Sequence, residues 1–250
     1  MTNIGIFDSG LGGVAVLNEL SKKTNAKFYY LGDNLRVPYG DRSKAEITSF
    51  ATDIVGFLEQ FDIDFYIIAC NTISVTCKDY LRDKFNKDFI AITDMAVKAA
   101  LEYEGDFLAL ATRATIDSHF YKNTIESFSD YKVYEQQAAK IVGLIEEGIL
   151  DGPDLEKALD EYLALANEKN IPNIILACTH YPIIKDEIRK RLTYDANIID
   201  PAVFLANNLE TEDNDREVNI FMSKESEDTT KLIEKIMDVD YKLSYIGDLK

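Results

Sequence analysis

The sequence predicts an α/β protein of two similar lobes, each built on a parallel sheet, with a cleft between their strand ends. Three observations carry this expectation. Short runs rich in β-branched and aromatic residues alternate with amphipathic helical patterns along the 250-residue chain. The run Ile4 to Phe7 with its turn Asp8-Ser9 has a counterpart in Phe107 to Ala111 with Thr112-Arg113-Ala114-Thr115, which marks an internal repeat. Each is followed at similar separation by an apolar run ending in a cysteine, Ile67-Ile68-Ala69-Cys70-Asn71-Thr72 and Ile175-Leu176-Ala177-Cys178-Thr179-His180. Buried parallel strands end this way at their carboxyl edge, where open α/β sheets place their sites.

Taken in order, strands are expected at Ile4 to Phe7, Lys27 to Leu31, Phe65 to Ala69, Phe89 to Ile92, Phe107 to Ala111, Tyr131 to Tyr134, Asn173 to Ala177, Ile198 to Ile199 and Val218 to Met222. A helical pattern over Val14 to Leu20 follows the first turn. The clearest helix runs from about Lys44 to Gln60, with Ile47, Ala51, Ile54, Leu58 and Phe61 on one stripe and Ser43 and Glu46 as a capping box. Another runs from Pro153, suited to a first helical turn, to about Asn167, with Leu155, Leu159, Tyr162 and Leu163 facing inward. The acidic stretch Glu210 to Glu217 reads as a linker before a last strand and helix. The expected division is residues 1–95 with 209–250 in the first lobe and 96–208 in the second.

A formal charge of -17 argues against nucleic-acid or anionic-membrane partners, because binding phosphates takes a surplus of Lys and Arg. It leaves room for a small anion, since backbone N–H groups at helix starts hold carboxylates without cationic side chains. Three cysteines and two histidines with no Cys-x-x-Cys pair suggest neither a disulfide framework nor a structural zinc site. No uncharged apolar stretch approaches the roughly 18 residues of a membrane helix. Met1-Thr2-Asn3-Ile4 carries no basic segment followed by an apolar one, so a cytoplasmic location is expected.

Three constellations carry chemistry. Asp8-Ser9-Gly10-Leu11-Gly12-Gly13 joins a strand to a helix, and its glycines let backbone approach a ligand at the helix's positive end. The same residues fit either a capped strand-to-helix turn or a loosened dinucleotide fingerprint, Gly10-x-Gly12-x-x-Ala15, with Asp33 as ribose partner. The second is the cysteine pair. A thiolate is a base and a thiol an acid, so Cys70 and Cys178 facing one pocket could remove a proton from one side of a substrate and return one on the other. A helix beginning just beyond each is expected to lower its thiol pKa. The third is Cys178-Thr179-His180-Tyr181-Pro182, whose histidine is placed to orient or protonate a ligand group. Cys77 lacks such a setting and reads as a core residue.

Together these segments resemble the cofactor-independent aspartate/glutamate racemase family, and within it the glutamate racemases. The matching stretches are Ile6 to Gly13, Gly32-Asp33 with Arg36-Val37-Pro38-Tyr39-Gly40, Ala69 to Thr72, Ala111-Thr112 with Ala114-Thr115, and Cys178 to Pro182, in family order. The chain departs from the family pattern at Ala138-Ala139-Lys140-Ile141-Val142-Gly143, where a Cys-Pro-Leu-Phe-Val-Pro-like stretch is usual, and at Asp94-Met95, where an acidic residue and proline are common. The resemblance implies two pseudo-symmetric flavodoxin-like lobes with glutamate held between them and no pyridoxal, metal or nucleotide. It further implies a homodimer that supplies D-glutamate for peptidoglycan. By the same resemblance Cys70 acts on the D-enantiomer with help from Asp8, and Cys178 on the L-enantiomer with help from His180 and Glu146. Ser9, Pro38, Tyr39, Gly40, Asn71, Thr72, Thr115 and Thr179 match positions that hold the amino acid. A racemase of aspartate or another amino acid, a nucleotide-binding oxidoreductase and a non-catalytic amino-acid-binding protein are the competing readings.

Overall fold

A computed structural model describes residues 2–211 and 215–249, so part of the expected linker at Glu210 to Glu217 lies outside the described residues. The first lobe begins with β1 (Asn3–Asp8), α1 (Gly13–Lys23), β2 (Lys27–Gly32), α2 (Lys44–Leu58), β3 (Phe65–Ile68), α3 (Asn71–Phe85) and β4 (Asp88–Ala91). After α4 (Ile92–Ala100), the second lobe runs through β5 (Phe107–Ala111), α5 (Arg113–Asp117), α6 (Phe120–Phe128), β6 (Val133–Gln137), α7 (Ala139–Glu146), α8 (Pro153–Lys169), β7 (Asn173–Ala177), α9 (Lys185–Arg191), β8 (Asn197–Ile199) and α10 (Pro201–Asn208). The chain ends with β9 (Glu217–Met222), α11 (Glu227–Ile236) and β10 (Lys242–Tyr245).

The two sheets have strand orders β10-β9-β2-β1-β3-β4 and β6-β5-β7-β8, and every pairing is parallel. Stripped of β9 and β10, the first has the order of the second: the opening strand is central, flanked by the next two, with the fourth at the edge. The fold is thus two parallel-sheet α/β lobes. β3 and β7 hold equivalent places, and Cys70 and Cys178 lie two residues and one residue beyond their ends. Because all strands in a sheet run parallel, the chain leaves every strand at the same carboxyl edge, and residues of the turns after β1, β3, β5 and β7 line one cleft.

Local signals explain most elements. The Ser43 hydroxyl accepts from Glu46 N–H while the Glu46 side chain accepts from Ser43 N–H, which starts α2 where the capping box placed it; its buried stripe is Ile47, Ala51, Ile54, Val55 and Leu58. α2 ends at Leu58 and tightens into a 3₁₀ turn over Glu59–Phe61. α8 runs two residues past its expected end, closing at Asn170 in the left-handed region. Two strands differ from expectation. β6 is Val133–Gln137 rather than 131–134, because pairing with β5 extends from Phe107↔Val133 to Ala111↔Gln137 and carries polar Glu135, Gln136 and Gln137 into an edge strand. β10 was not expected, since a half-exposed edge strand needs no hydrophobic run.

The largest buried cluster spans both lobes. Ile4, Leu17 and Phe28 of the first and Leu108, Leu159 and Ile174 of the second belong to the same buried cluster. α10 packs on both α1 and α4, so the segments that connect the lobes also bind them together. No helix among the described residues is long and apolar enough to cross a membrane.

Candidate active site

The carboxyl edges of the two sheets face one another across a cleft whose empty space, including the part open to solvent, is about 440 Å³. It is lined by Ser9, Pro38, Tyr39, Gly40, Cys70, Asn71, Thr72, Glu146, Cys178, Thr179 and His180 from the expected set, and by Val37, Thr112 and Val142 besides. Among these lining residues none is Lys or Arg. An anionic ligand here would be held by hydroxyls, amides and the N–H groups at the start of α3, which no N-cap side chain takes up.

The first half-site is built on the turn after β1. Asp8 is fully buried; one carboxylate oxygen accepts from Gly10 N–H at 2.9 Å and the other from the Thr179 hydroxyl at 3.2 Å. Tyr30 fixes the same turn by donating to the Gly10 carbonyl at 2.6 Å. Asp8 does not itself line the cavity: it stands behind Ser9, whose hydroxyl lies 3.5 Å from Cys70 Sγ. Burial raises the Asp8 carboxyl pKa against the opposing pull of His180, the Gly10 N–H and the Thr179 hydroxyl.

Cys70 contradicts one expectation. It precedes α3, yet its thiol is pushed up to about 12, first by burial and then by the neighbouring Asp8 carboxylate. The Ser9 hydroxyl and the Ile73 and Ser9 N–H groups favour the thiolate but do not offset desolvation. At rest Cys70 is therefore a protonated acid and, once deprotonated, a strong base.

The second half-site is built on the turn after β7, which continues into a 3₁₀ turn at Tyr181–Ile184. His180, 5% exposed, sets Nδ1 3.7 Å from Cys178 Sγ and Nε2 3.3 Å from Glu146 Oε1. The Glu146 contact is an ion pair rather than an aligned hydrogen bond, since His180 Nε2 makes none. Burial acts to lower the imidazole pKa, but the Cys178 sulfur and Glu146 outweigh it and raise it to about 10. A cationic ring beside Cys178 is the complement of a sulfur anion.

Glu146 owes its place to the stretch that departs from the family pattern. Ala138 N–H bonds the Ala111 carbonyl, Tyr181 donates to the Ala138 carbonyl at 3.0 Å, and α7 then projects Val142 and Glu146, one turn apart, into the cleft. Asp94 instead turns away to an ion pair with Lys78 at 2.9 Å.

Other positions sort by geometry. Thr115 does not line the cavity: its hydroxyl lies 3.3 Å behind that of Thr112, which reaches across to the Thr72 hydroxyl at 3.0 Å. Thr112 and Thr115 both lie in the repeated turn, and only lobe packing shows that Thr112 is the one facing the cleft. Tyr39 lines the cleft with its hydroxyl committed to Asp33 at 2.5 Å. The Val37-Pro38 peptide before it is cis. Asp33 also binds Arg36 and accepts from Ser223, at the end of β9, at 2.8 Å, so the last strands of the chain brace the loop that carries Pro38, Tyr39 and Gly40.

That network disposes of the dinucleotide reading. Asp33 is 1% exposed with its oxygens occupied, and so is no ribose partner. Gly12 lies against the opposite lobe: a Cβ there would stand 2.3 Å from Thr179 Oγ1 and 2.6 Å from His180 Nδ1, which leaves no room for a pyrophosphate. The glycine serves the approach of two protein turns.

Comparison with known proteins agrees with this geometry. The model of the Asp/Glu/Hydantoin racemase family matches residues 4–209. The chain belongs to that family. It is accordingly an isomerase, a racemase. A glutamate racemase of Persephonella marina is 37% identical over 248 residues, covering 96% of this chain and 95% of its own. Among solved structures, the glutamate racemase of Francisella tularensis in complex with D-glutamate superimposes with a TM-score of 0.86 at 30% identity, covering 98% of this chain and 97% of its own. The glutamate racemase of Aquifex pyrophilus gives 0.80 at 33% identity, with 97% and 98% covered.

Proposed function

We propose that the racemase interconverts L- and D-glutamate by proton transfer at Cα between two cysteines. The observation that carries this reading is that Cys70 and Cys178, at equivalent strand ends of two repeated lobes, line one cavity with chemically different helpers. The many glutamate racemases similar over nearly the whole chain support glutamate as the amino acid.

In the L-to-D direction the Cys178 thiolate takes the Cα proton and the electron pair stays on Cα, delocalised into the carboxylate. The Cys70 thiol then delivers its proton to the opposite face. The products are D-glutamate, a Cys178 thiol and a Cys70 thiolate, which is the state needed to run the reaction backward. Because the Cα proton is weakly acidic, the site must aim donors at the developing charge; in this reading Asn71 and Thr72, which line the cleft, supply them, and His180 with Glu146 balances charge at Cys178. Asp8 raises the basicity of Cys70 for the reverse direction. Two bases serve inversion because a single base tends to return the proton to the face it left. No cofactor enters this reading. It places the enzyme in the cytoplasm as a homodimer supplying D-glutamate for peptidoglycan.

The test is incubation of either glutamate enantiomer with the enzyme in D₂O. Deuterium should enter Cα as optical rotation decays, and absence of exchange from both enantiomers would sink the proposal. Cys70→Ala and Cys178→Ala should each lower racemisation by about a thousandfold or more. Faster turnover of aspartate than of glutamate would move the substrate assignment and leave the two-cysteine chemistry standing.

A further inference from the structure

Asn71 is the first residue of α3, is 4% exposed and lines the cleft. Its amide has an acceptor end and a donor end, and a substrate carboxylate, which only accepts, can use the donor end alone. With no Lys or Arg among the lining residues, each such donor weighs heavily in holding an anion. What sets the direction of this amide comes from the other lobe. Tyr121, on α6 and 1% exposed, donates its hydroxyl to Asn71 Oδ1 at 2.5 Å.

We propose that Tyr121 is a positioning residue for the substrate: by occupying Asn71 Oδ1 across the lobe boundary, it keeps the Asn71 N–H groups aimed at a carboxylate in the cleft. The terminal torsion of an asparagine side chain is broad and roughly two-fold, so the amide can flip, and its oxygen would then face the carboxylate and repel it. The phenol is suited to prevent this. Burial, with the fields of Asp94 and Cys178, raises its pKa, so it stays protonated and donates throughout the working range. The bond also spans the lobes beside the Thr72 to Thr112 contact, so lobe closure and amide orientation are set together. Tyr121 thus serves the ligand through Asn71, although it does not line the cleft.

The inference rests on the proposed amino-acid substrate, and the experiment separates the two. KM and kcat are measured for L- and D-glutamate with the wild-type enzyme, Tyr121→Phe, Asn71→Ala and the double variant, alongside their melting temperatures. Tyr121→Phe should raise KM about tenfold for both enantiomers, the scale of one hydrogen bond to a charged group, with a much smaller change in kcat. Asn71→Ala should raise KM at least as much, and in that background Tyr121→Phe should add nothing. An unchanged KM in Tyr121→Phe overturns the proposal, as does an equal effect with and without Asn71, which marks a general structural role. Should Tyr121→Phe fail to fold, an unchanged KM in Asn71→Ala overturns it independently. A wild-type enzyme inert toward glutamate ends the functional reading instead, and the same variants are then compared on L- and D-aspartate.

Discussion

Cys70 and Cys178 occupy matching strand ends yet meet opposite electrostatics, a carboxylate beside one and an imidazolium beside the other. The asymmetry has a measurable consequence. His180 is raised from 6.5 to about 10, so its contribution to stability is complete below the unfolded value and is lost as pH rises through about 10. Cys70, raised from 9.0 to about 12, acts in the same direction, because its buried thiol resists ionisation that the unfolded chain permits. Melting temperature should therefore fall as pH is raised from neutrality into the alkaline range. In Glu146→Gln, which removes one of the two groups holding the imidazolium, the fall should begin at lower pH. Melting curves for the two proteins that decline in parallel would show that Glu146 does not hold His180 charged. The residue types at this site were legible from their order in the chain; the Cys70 pKa was not, because desolvation depends on what surrounds the sulfur.

At the scale of elements, the site is a meeting of turns rather than of helices or strands. The glycine-rich turn after β1 fits against the turn after β7, and Gly12 is what lets them touch. Gly12→Ala should cost about 1–3 kcal/mol in stability through overpacking and lower kcat/KM about a hundredfold by displacing His180. Gly56→Ala in α2, where an added Cβ meets nothing within 4 Å, is the control and should stabilise by up to about 1 kcal/mol. Urea denaturation and steady-state kinetics read both, and an active Gly12→Ala enzyme would show that the turns have room to give. α2 was readable down to its cap because Ser43 and Glu46 satisfy each other locally. β10 was not, because its pairing partner β9 lies some twenty residues earlier and its own side chains are half-exposed.

Across the whole molecule, repetition and cohesion work together. Two similar sheets face one cleft; each lobe has a buried cluster of its own, and a larger cluster drawn from both joins them. The lobes are tied at more than one place, since the larger cluster spans both and α10 lies on both α1 and α4. Unfolding in urea should thus follow one cooperative transition, with far-ultraviolet circular dichroism and tyrosine fluorescence coincident. Two resolved transitions would show that the lobes are energetically separate.

The sequence by itself determined the α/β class, the repeat and the cysteine, aspartate and histidine that mark each half-site, because hydrophobic periodicity and strand-end chemistry are local. Only the tertiary structure decided that Thr112 rather than Thr115 faces the cleft, that Asp33 braces Tyr39 instead of a ribose, that Glu146 reaches His180, and that Tyr121 meets Asn71. Each of these joins residues far apart in the chain or depends on which side of a turn faces the other lobe. Such relations are set by how the two lobes pack, and no local pattern encodes them.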